Sequence, residues 1–133
     1  EWIKNLFKIK AFAITLMDYD LISESNLNRQ FCYRKIDINK FKVDVLYAYF
    51  KRINPQFEME IERNNLFDYD SLYFSQFDIL ISALDNNDAR KYLNLMAIDN
   101  NLPMVDAGTS GFNGQAMLFR RYLSECRMCR HQD

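Results

Sequence analysis

Residues 25–31 read Ser-Asn-Leu-Asn-Arg-Gln-Phe, and this run decides how the rest of the chain is interpreted. Asn26, Asn28 and Gln30 place side-chain amides around a single cation, Arg29. A guanidinium group presents a planar fork that grips phosphate oxygens, and amide NH2 groups can donate to the same oxygens. The run therefore predicts an anion site. The competing interpretation is the solvated start of a helix, which needs no ligand.

The pattern around this run alternates strands with helices. The apolar residues 11–17 form a run that ends at Asp18, as expected of a buried parallel strand. Residues 40–53 have apolar positions at helical spacing and are followed by Asn54-Pro55, which ends a helix. Residues 57–61 alternate apolar and charged side chains, which predicts a half-exposed edge strand.

The second half of the chain repeats the alternation. The predicted elements are a loop with a short helix, a strand, a helix and two further strands, at 66–77, 77–84, 87–100, 102–107 and 114–122. A further helix is predicted at 1–7. This order predicts an α/β fold of the Rossmann-like kind, with a mainly parallel sheet and helices on both faces. Residues 1–133 are expected to form one domain.

Acidic residues follow two of the predicted strands. Ligands of such sheets bind beyond the carboxyl ends of the strands, where Asp18, Asp20 and Asp85 are expected to lie. Asp18 could accept hydrogen bonds from ribose hydroxyls, or could simply end a strand in a turn. Asp85-Asn86 could hold Mg²⁺, cap the following helix, or do both.

Other charged residues of these segments are less specific. Lys40 and Lys42 could complete a phosphate cradle with Arg29, although lone charges at a helix start are usually solvated. Asp88 and Arg90, in the first turn of the predicted helix at 87–100, are expected to serve as helix-capping and surface charge.

The cysteines suggest a metal site near the carboxyl end of the sequence. Cys126 and Cys129 have the C-x-x-C spacing that supplies two of four zinc ligands, and His131 is a poor third ligand. A redox pair is less favoured because no thioredoxin-like context surrounds it. Cys32, a lone cysteine among apolar residues, is expected to be buried and unreactive.

Composition excludes several classes of protein. Seventeen Lys and Arg balance eighteen Asp and Glu, so no general affinity for nucleic acid is expected. Nearly half of the residues are apolar (49%), enough for a packed core, but no apolar run is long enough to span a membrane. The sequence has no recognisable signal peptide, and we expect a protein of the cytoplasm and nucleus that contacts neither membrane nor nucleic acid.

Taken together, these motifs resemble the ubiquitin-like modifier-activating enzymes, whose ThiF-type adenylation domains bind ATP. The resemblance covers essentially the whole chain in order. Besides the run at 25–31, it rests on Asp18-Tyr19-Asp20, Lys42, Asn54-Pro55, Gln76-Phe77-Asp78, Leu84-Asp85-Asn86, Ala89-Arg90, Gly108-Thr109, Gly111-Phe112, Gly114-Gln115 and Cys126 with Cys129.

The resemblance implies a role for each matching residue. Asp18 would hold the ATP ribose, and Asp20 and Asp85 would lie near Mg²⁺ and the reacting phosphate. The implied phosphate contacts are Asn26, Arg29 and Lys42, supported by Gln30, with Asn86 beside Asp85. Cys126 and Cys129 would be half of a structural four-cysteine Zn²⁺ site. The implied catalytic residues are Arg29, Asp85 and Asp20, and the implied reaction is adenylation of a modifier's C-terminal carboxylate.

The resemblance also implies partners: a ubiquitin-like protein, a second adenylation-type subunit as heterodimer partner, and a conjugating enzyme. Within the family, the pair Cys126 and Cys129 after Ser124-Glu125 favours the catalytic subunit of the SUMO-activating enzyme. The alternatives are neddylation-type or ubiquitin activation, a sulfur-carrier adenylyltransferase, a noncatalytic scaffold subunit and, more remotely, a hydride-transferring enzyme. The family's first strand, its glycine-rich loop and its thioester cysteine have no match here, so the piece alone is expected to be inactive.

Overall fold

Parallel strand pairs form the framework of the described chain. The computed structural model describes residues 13–28, 30–110 and 113–124. The helix predicted at 1–7 lies outside these residues. The chain divides into two compact units, Glu1–Asn65 and Leu66–Asp133, here called the N-terminal and C-terminal units.

In the N-terminal unit, a helix connects two parallel strands. Strand β1 (Ile14–Met17) pairs with β2 (Met59–Glu62), and Ile14 lies opposite Met59. Helix α1 (Lys42–Ile53) lies between them in sequence, as a parallel connection requires. Its apolar face packs on the strands around a buried cluster of Phe50, Phe57 and Met59. Strand β2, predicted as an edge strand, thus pairs with β1.

Helix α1 begins later than predicted because the residues before it are extended. Leu21 bridges Phe41 in antiparallel fashion, and the Ile22 amide donates to the Lys40 carbonyl at 2.9 Å. Asn39 turns the chain with a φ of 69°, a conformation that asparagine tolerates better than most residues. The helix ends at Ile53, where Asn54 adopts an extended conformation and Pro55 cannot continue the ladder.

The C-terminal unit contains a three-stranded sheet. Its helices are α2 (Ser71–Phe74) and α3 (Asn87–Asp99), and its strands are β3 (Leu80–Ser82), β4 (Met104–Ser110) and β5 (Asn113–Phe119). Strand β3 pairs with β4 in parallel, and β4 pairs with β5 in antiparallel orientation. Alternating helices and parallel strands confirm the predicted α/β class.

Strands β2 and β5 differ from their predicted bounds by one to three residues at each end, and β3 and β4 differ for reasons that the pairing explains. Strand β3 is shorter than the apolar run at 77–84, because only Leu80, Ile81 and Ser82 find partners on β4. Strand β4 runs past the predicted end at residue 107 to Ser110, because β5 pairs with its whole length. The core of this unit is built on five buried side chains, Phe74, Leu80, Leu93, Ala97 and Met104. None of the helices in the described ranges could cross a bilayer.

Candidate functional site

The carboxyl end of β1 carries the first pair of predicted site residues, Asp18 and Asp20. The Asp18 amide donates to the Glu62 carbonyl at 3.1 Å, so the chain leaves the sheet directly after this residue. The Asp20 amide then donates to Asp18 Oδ1 at 2.8 Å, a local turn that Asp forms readily. Both carboxylates are therefore presented at the carboxyl end of a parallel strand, as predicted.

Lys42 joins this pair through the folding of the chain rather than through sequence proximity. Its amide donates to the Asp20 carbonyl at 3.0 Å, an extension of the pairing between Leu21 and Phe41. This pairing places Lys42 Nζ 2.8 Å from Asp20 Oδ2. The Lys42 side chain is only 16% exposed, whereas that of Asp20 is 52% exposed. A shielded cation thus meets an accessible carboxylate at the start of α1.

The run at 25–31 forms a compact turn. A single helical turn spans Glu24–Asn26, and the Gln30 amide donates to the Asn26 carbonyl at 3.0 Å. Asn26 is buried, and its side-chain Oδ1 accepts from the Ser23 amide at 3.0 Å. The oxygen of Asn26 therefore holds the turn, and its NH2 group is the part that suits a phosphate contact. Arg29 lies outside the described residues.

Tyr33 is a site neighbour that the sequence analysis missed. Its ring is buried, and its amide donates to the Gln30 carbonyl at 3.2 Å. Burial raises the pKa of the Tyr33 hydroxyl well above its usual value, and the nearby Asp18 carboxylate raises it further. The hydroxyl therefore stays protonated as a donor near Asp18. The one available signal in the sequence is that Tyr33 follows Gln30 by three residues, the spacing at which a turn brings two residues together. Cys32, expected to be buried, is only half-buried.

The carboxyl end of β3 carries the second group, Asp85 and Asn86. Asn86 is the N-cap of α3, because its side-chain oxygen accepts from the amides of Asp88 at 2.8 Å and Ala89 at 3.3 Å. The capping function considered for this pair is thereby confirmed for Asn86. Asp85 is exposed, and no hydrogen bond or ion pair to another described residue engages its carboxylate. Its oxygens are available to a ligand.

Arg90 is not the surface charge that the sequence suggested. Its side chain is only 16% exposed and contacts the chain just after β3 and the middle of β4. Nε donates to the Leu84 carbonyl at 2.5 Å, and Nη2 donates to the Ala107 carbonyl at 3.2 Å. Nη1 lies 3.5 Å from Oδ2 of the buried Asp106. The prediction failed because an arginine in a first helical turn is usually solvated, and its partners lie on a strand distant in sequence.

The metal ions predicted from the sequence, Mg²⁺ and Zn²⁺, require different sets of ligands. Across residues 13–28, 30–110 and 113–124, no group of three or more His, Cys, Asp or Glu could hold a metal ion alone. Mg²⁺ needs no such group, since it typically takes one or two carboxylates and completes its shell with phosphates and water. The accessible carboxylate of Asp85 fits that requirement. The predicted zinc ligands Cys126 and Cys129, and His131, lie outside the described residues.

Each unit is of α/β type, with polar side chains at the carboxyl end of a parallel strand, β1 in one unit and β3 in the other. The chain belongs to the ThiF family, whose model matches residues 1–133. The resemblance on which the sequence analysis rested is thus confirmed over the whole chain.

Three curated relatives show which kinds of ThiF-family protein the chain is similar to. The chain is 35% identical over 131 residues to SUMO-activating enzyme subunit uba-2 of Caenorhabditis elegans, covering 97% of this chain and 22% of that protein. It is 34% identical over 131 residues to SUMO-activating enzyme subunit 2 of Dictyostelium discoideum, covering 97% and 20%. It is 33% identical over 142 residues to the NEDD8-activating enzyme E1 catalytic subunit of Dictyostelium discoideum, covering 97% and 32%. The chain spans about a fifth to a third of the length of these relatives.

Proposed function

We propose that this chain is the adenylation part of an enzyme that activates a ubiquitin-like protein with ATP. The observation that carries the proposal is the cluster of Asp18, Asp20 and Lys42 at the carboxyl end of β1, held by hydrogen bonds of 2.8 Å. Two carboxylates and a shielded cation at this position suit a nucleotide, with its ribose hydroxyls and its phosphates. Membership of the ThiF family and the names of the relatives support the same class of enzyme.

In the proposed reaction, the C-terminal carboxylate of the modifier attacks the α-phosphate of ATP, giving an acyl-adenylate and pyrophosphate. No side-chain nucleophile is needed, so the protein contributes alignment and neutralisation of charge. Arg29 and Lys42 would contact the phosphates, with donors from Asn26 and support from Gln30. Asp18 would orient the ribose. Asp85 would hold Mg²⁺, which when bound neutralises charge on the phosphates.

The ion pair between Lys42 and Asp20 holds the ammonium group in the position where it would meet a phosphate. Lys42 Nζ lies against Asp20 Oδ2 at 2.8 Å, so a phosphate group would replace a carboxylate as the partner of the ammonium. The exchange is feasible because Asp20 is half exposed and can be rehydrated, and an accessible pair contributes little stability of its own. Asp20, once released, would lie near the phosphates and their cation.

The modifier is proposed to be SUMO-like. The two relatives with 35% and 34% identity are both SUMO-activating enzyme subunits. Neddylation-type activation is the nearest alternative, because the NEDD8-activating relative is 33% identical. Ubiquitin activation and sulfur-carrier adenylation use the same site chemistry. A noncatalytic scaffold subunit is disfavoured, since a scaffold needs neither the pair of Lys42 and Asp20 nor an accessible Asp85.

The remaining expectations extend the proposal to the full-length protein. It would work as a heterodimer with a second adenylation-type subunit, and it would pass the modifier to a cysteine outside this chain and then to a conjugating enzyme. Cys126 and Cys129 would bind a structural Zn²⁺ with two further cysteines from elsewhere in the protein. The proposed location is the cytoplasm and nucleus. This chain alone would be inactive.

The decisive experiment is ATP–pyrophosphate exchange by the full-length protein with its partner subunit. Purified SUMO, the NEDD8-type modifier, ubiquitin and a sulfur carrier would each be supplied in turn. Exchange that depends on SUMO is expected, while exchange with another modifier would replace SUMO in the proposal. If no modifier supports exchange although ATP binds, the adenylation proposal is wrong. A protein that binds no ATP, alone or with its partner, would be the scaffold subunit.

A substitution makes the test specific to the site. We expect Arg29→Ala to reduce exchange about 100-fold or more, as removal of a charge-stabilising donor does in other enzymes. Arg52→Ala is the matched control, because Arg52 lies in the last turn of α1, where its guanidinium rests over the Tyr49 ring. Exchange by Arg29→Ala within about threefold of wild type would refute the role of Arg29.

A further inference from the structure

The guanidinium group of Arg90 joins the segment that follows β3 to the middle of strand β4. Its Nε contacts the Leu84 carbonyl at 2.5 Å, and its Nη2 contacts the Ala107 carbonyl at 3.2 Å. The first carbonyl belongs to the peptide group directly before Asp85. The second belongs to the peptide group between Ala107 and Gly108, on the neighbouring strand β4. One side chain therefore ties the chain that leaves β3 to a paired part of β4.

Gly108 makes this arrangement possible. A Cβ atom at this position would lie 2.9 Å from Arg90 Nη2 and 3.0 Å from Nη1, closer than packed side chains tolerate. The guanidinium thus rests directly on the backbone of β4. A lysine could not reproduce this contact, since its ammonium is a single point charge without the planar fork.

The charge of Arg90 is balanced inside the protein. Asp106 is buried, and its Oδ2 lies 3.5 Å from Nη1. The arginine stem starts from α3, whose first turn is independently fixed by the Asn86 cap. The segment from Leu84 to Ala89 is consequently held at one end by the cap and at the other by the guanidinium. Asp85 lies within it, with a carboxylate that the described protein does not engage.

From this geometry we infer that Arg90 is a positioning residue for Asp85. By fixing the peptide group before Asp85, it determines where that carboxylate points and so how well Mg²⁺ binds with the nucleotide. The inference rests on the proposed function, because it assigns Asp85 to the cation. Residues that orient a metal ligand without touching the metal commonly change metal affinity about 10- to 100-fold when they are removed.

A purely structural role would give a different result. In that case, loss of Arg90 would lower the fraction of folded protein and leave the cation affinity of the folded molecules unchanged. The two roles are separated by the Mg²⁺ concentration that half-saturates ATP binding, measured under conditions in which every variant remains folded, because partial unfolding would itself lower the apparent affinity. ATP binding also needs no modifier, so the measurement is independent of the outcome of pyrophosphate exchange.

The test compares Arg90→Met and Arg90→Lys in the full-length protein with its partner subunit. Methionine keeps the apolar stem and removes every donor, whereas lysine keeps the charge and one point of contact. Tyr92→Phe is the matched control, since Tyr92 also lies on α3 and donates to a backbone carbonyl, that of Tyr69, at 2.6 Å. Calorimetric ATP titrations at a series of Mg²⁺ concentrations and amide hydrogen exchange would be recorded for each variant.

We expect Arg90→Met to raise the half-saturating Mg²⁺ concentration about tenfold or more, Arg90→Lys to raise it less, and Tyr92→Phe to leave it unchanged. In Arg90→Met, amides of residues 85–88 and 107–109 should exchange about tenfold faster than in the control. An unchanged half-saturating concentration in Arg90→Met would overturn the inference, as would an equal rise in Tyr92→Phe. Failure of wild type to exchange pyrophosphate with any modifier would instead overturn the proposed function.

Discussion

The carboxyl ends of β1 and β3 carry polar side chains of the same kinds but engage them in opposite ways. At the β1 end, the functional groups bind one another: Lys42 Nζ contacts Asp20, and the Asp20 amide contacts Asp18. At the β3 end, Asp85 remains accessible, and the protein engages the backbone around it through Asn86 and Arg90.

Under the proposed function, this difference corresponds to two ways of presenting carboxylates to a charged ligand. At the β1 end, a phosphate would replace Asp20 as the partner of Lys42, so that ligand binding and release of Asp20 would be coupled. At the β3 end, a ligand would displace no partner from Asp85, and the hydrogen bonds of Asn86 and Arg90 fix the backbone on either side of it. Substitutions at the first end should therefore change function far more than stability, while those at the second end should change both.

The largest effect is expected from Lys42→Met in the full-length protein. Loss of the ammonium should lower pyrophosphate exchange roughly 100-fold, because a preorganised cation would be missing from the charged phosphate site. The free energy of unfolding should fall by less than about 1 kcal/mol, since the partner Asp20 is 52% exposed. Exchange assays and denaturant titrations would measure the two quantities.

Lys51→Met is the control for Lys42→Met. Lys51 lies in the last turn of the same helix, and its Nζ contacts only the Pro55 carbonyl, at 3.2 Å, among the hydrogen bonds of the described residues. Exchange should be unaffected by this change. A stability loss of several kcal/mol in Lys42→Met with little change in exchange would show that the β1 end is structural.

The next effect tests the β3 end through a pair of glycines on one hairpin. Gly108→Ala places a methyl group 2.9 Å from Arg90 Nη2, so the guanidinium must move away from its carbonyl partners. We expect the free energy of unfolding to fall by about 1–3 kcal/mol, as for other overpacked sites. Gly114→Ala, with nothing within 4 Å of its Cβ, should be neutral or slightly stabilising.

Thermal unfolding of the two glycine variants, with wild type alongside, would make this comparison. Equal stability of Gly108→Ala and Gly114→Ala would mean that Arg90 has another position of similar energy, and that it does not fix the β3 end. A loss confined to Gly108→Ala would strengthen the contrast, since the β1 end has no comparable close contact at a glycine.

The sequence predicted the end of β1 and the start of α3 well because single residues mark them. Asp18 and Asp85 follow apolar runs directly, and the Asn86 cap is a local signal that needs no tertiary information. The α/β class followed from the alternation of predicted strands and helices along the sequence. By contrast, the start of α1 was predicted too early, because pairing between Leu21 and Phe41 keeps Phe41 extended.

The interactions that the sequence could not predict connect residues distant along the chain. Arg90 was taken for a surface charge, yet Asp106 and Ala107, which it contacts, lie on another strand. Tyr33 was not considered at all, because its proximity to Asp18 arises only from the fold. The need for a glycine at position 108 could not be predicted either, because it arises from the nearby guanidinium of Arg90. Local rules therefore placed the predicted site residues at the strand ends, and tertiary contacts determined how these residues are held.

The smallest effect concerns a second ion pair of the N-terminal unit, Asp37 with Lys40. Lys40 Nζ donates to Asp37 Oδ1 at 2.9 Å, and the Arg34 amide donates to Oδ2 at 3.0 Å. The hydrogen bond from Lys40, with that from Arg34, holds the pKa of the Asp37 carboxyl below its usual 3.8. Because the folded-state pKa is lowered, the stabilisation is present above pH 3.8 and is lost as pH falls through the lower, folded-state pKa.

Asp37→Asn should therefore be slightly less stable than wild type near neutral pH, and the difference should vanish as the pH falls below about 4. Asparagine keeps an oxygen for the Arg34 amide, so the change isolates the charge. In a Lys40→Met background, the same substitution should have a smaller effect at neutral pH, because the main cause of the lowered pKa is gone. Denaturant titrations at about pH 3, 5 and 7 would measure the free energy of unfolding of wild type, the two single variants and the double variant. A difference between Asp37→Asn and wild type that is independent of pH would show that the carboxylate acts through the shape of the turn rather than through its charge.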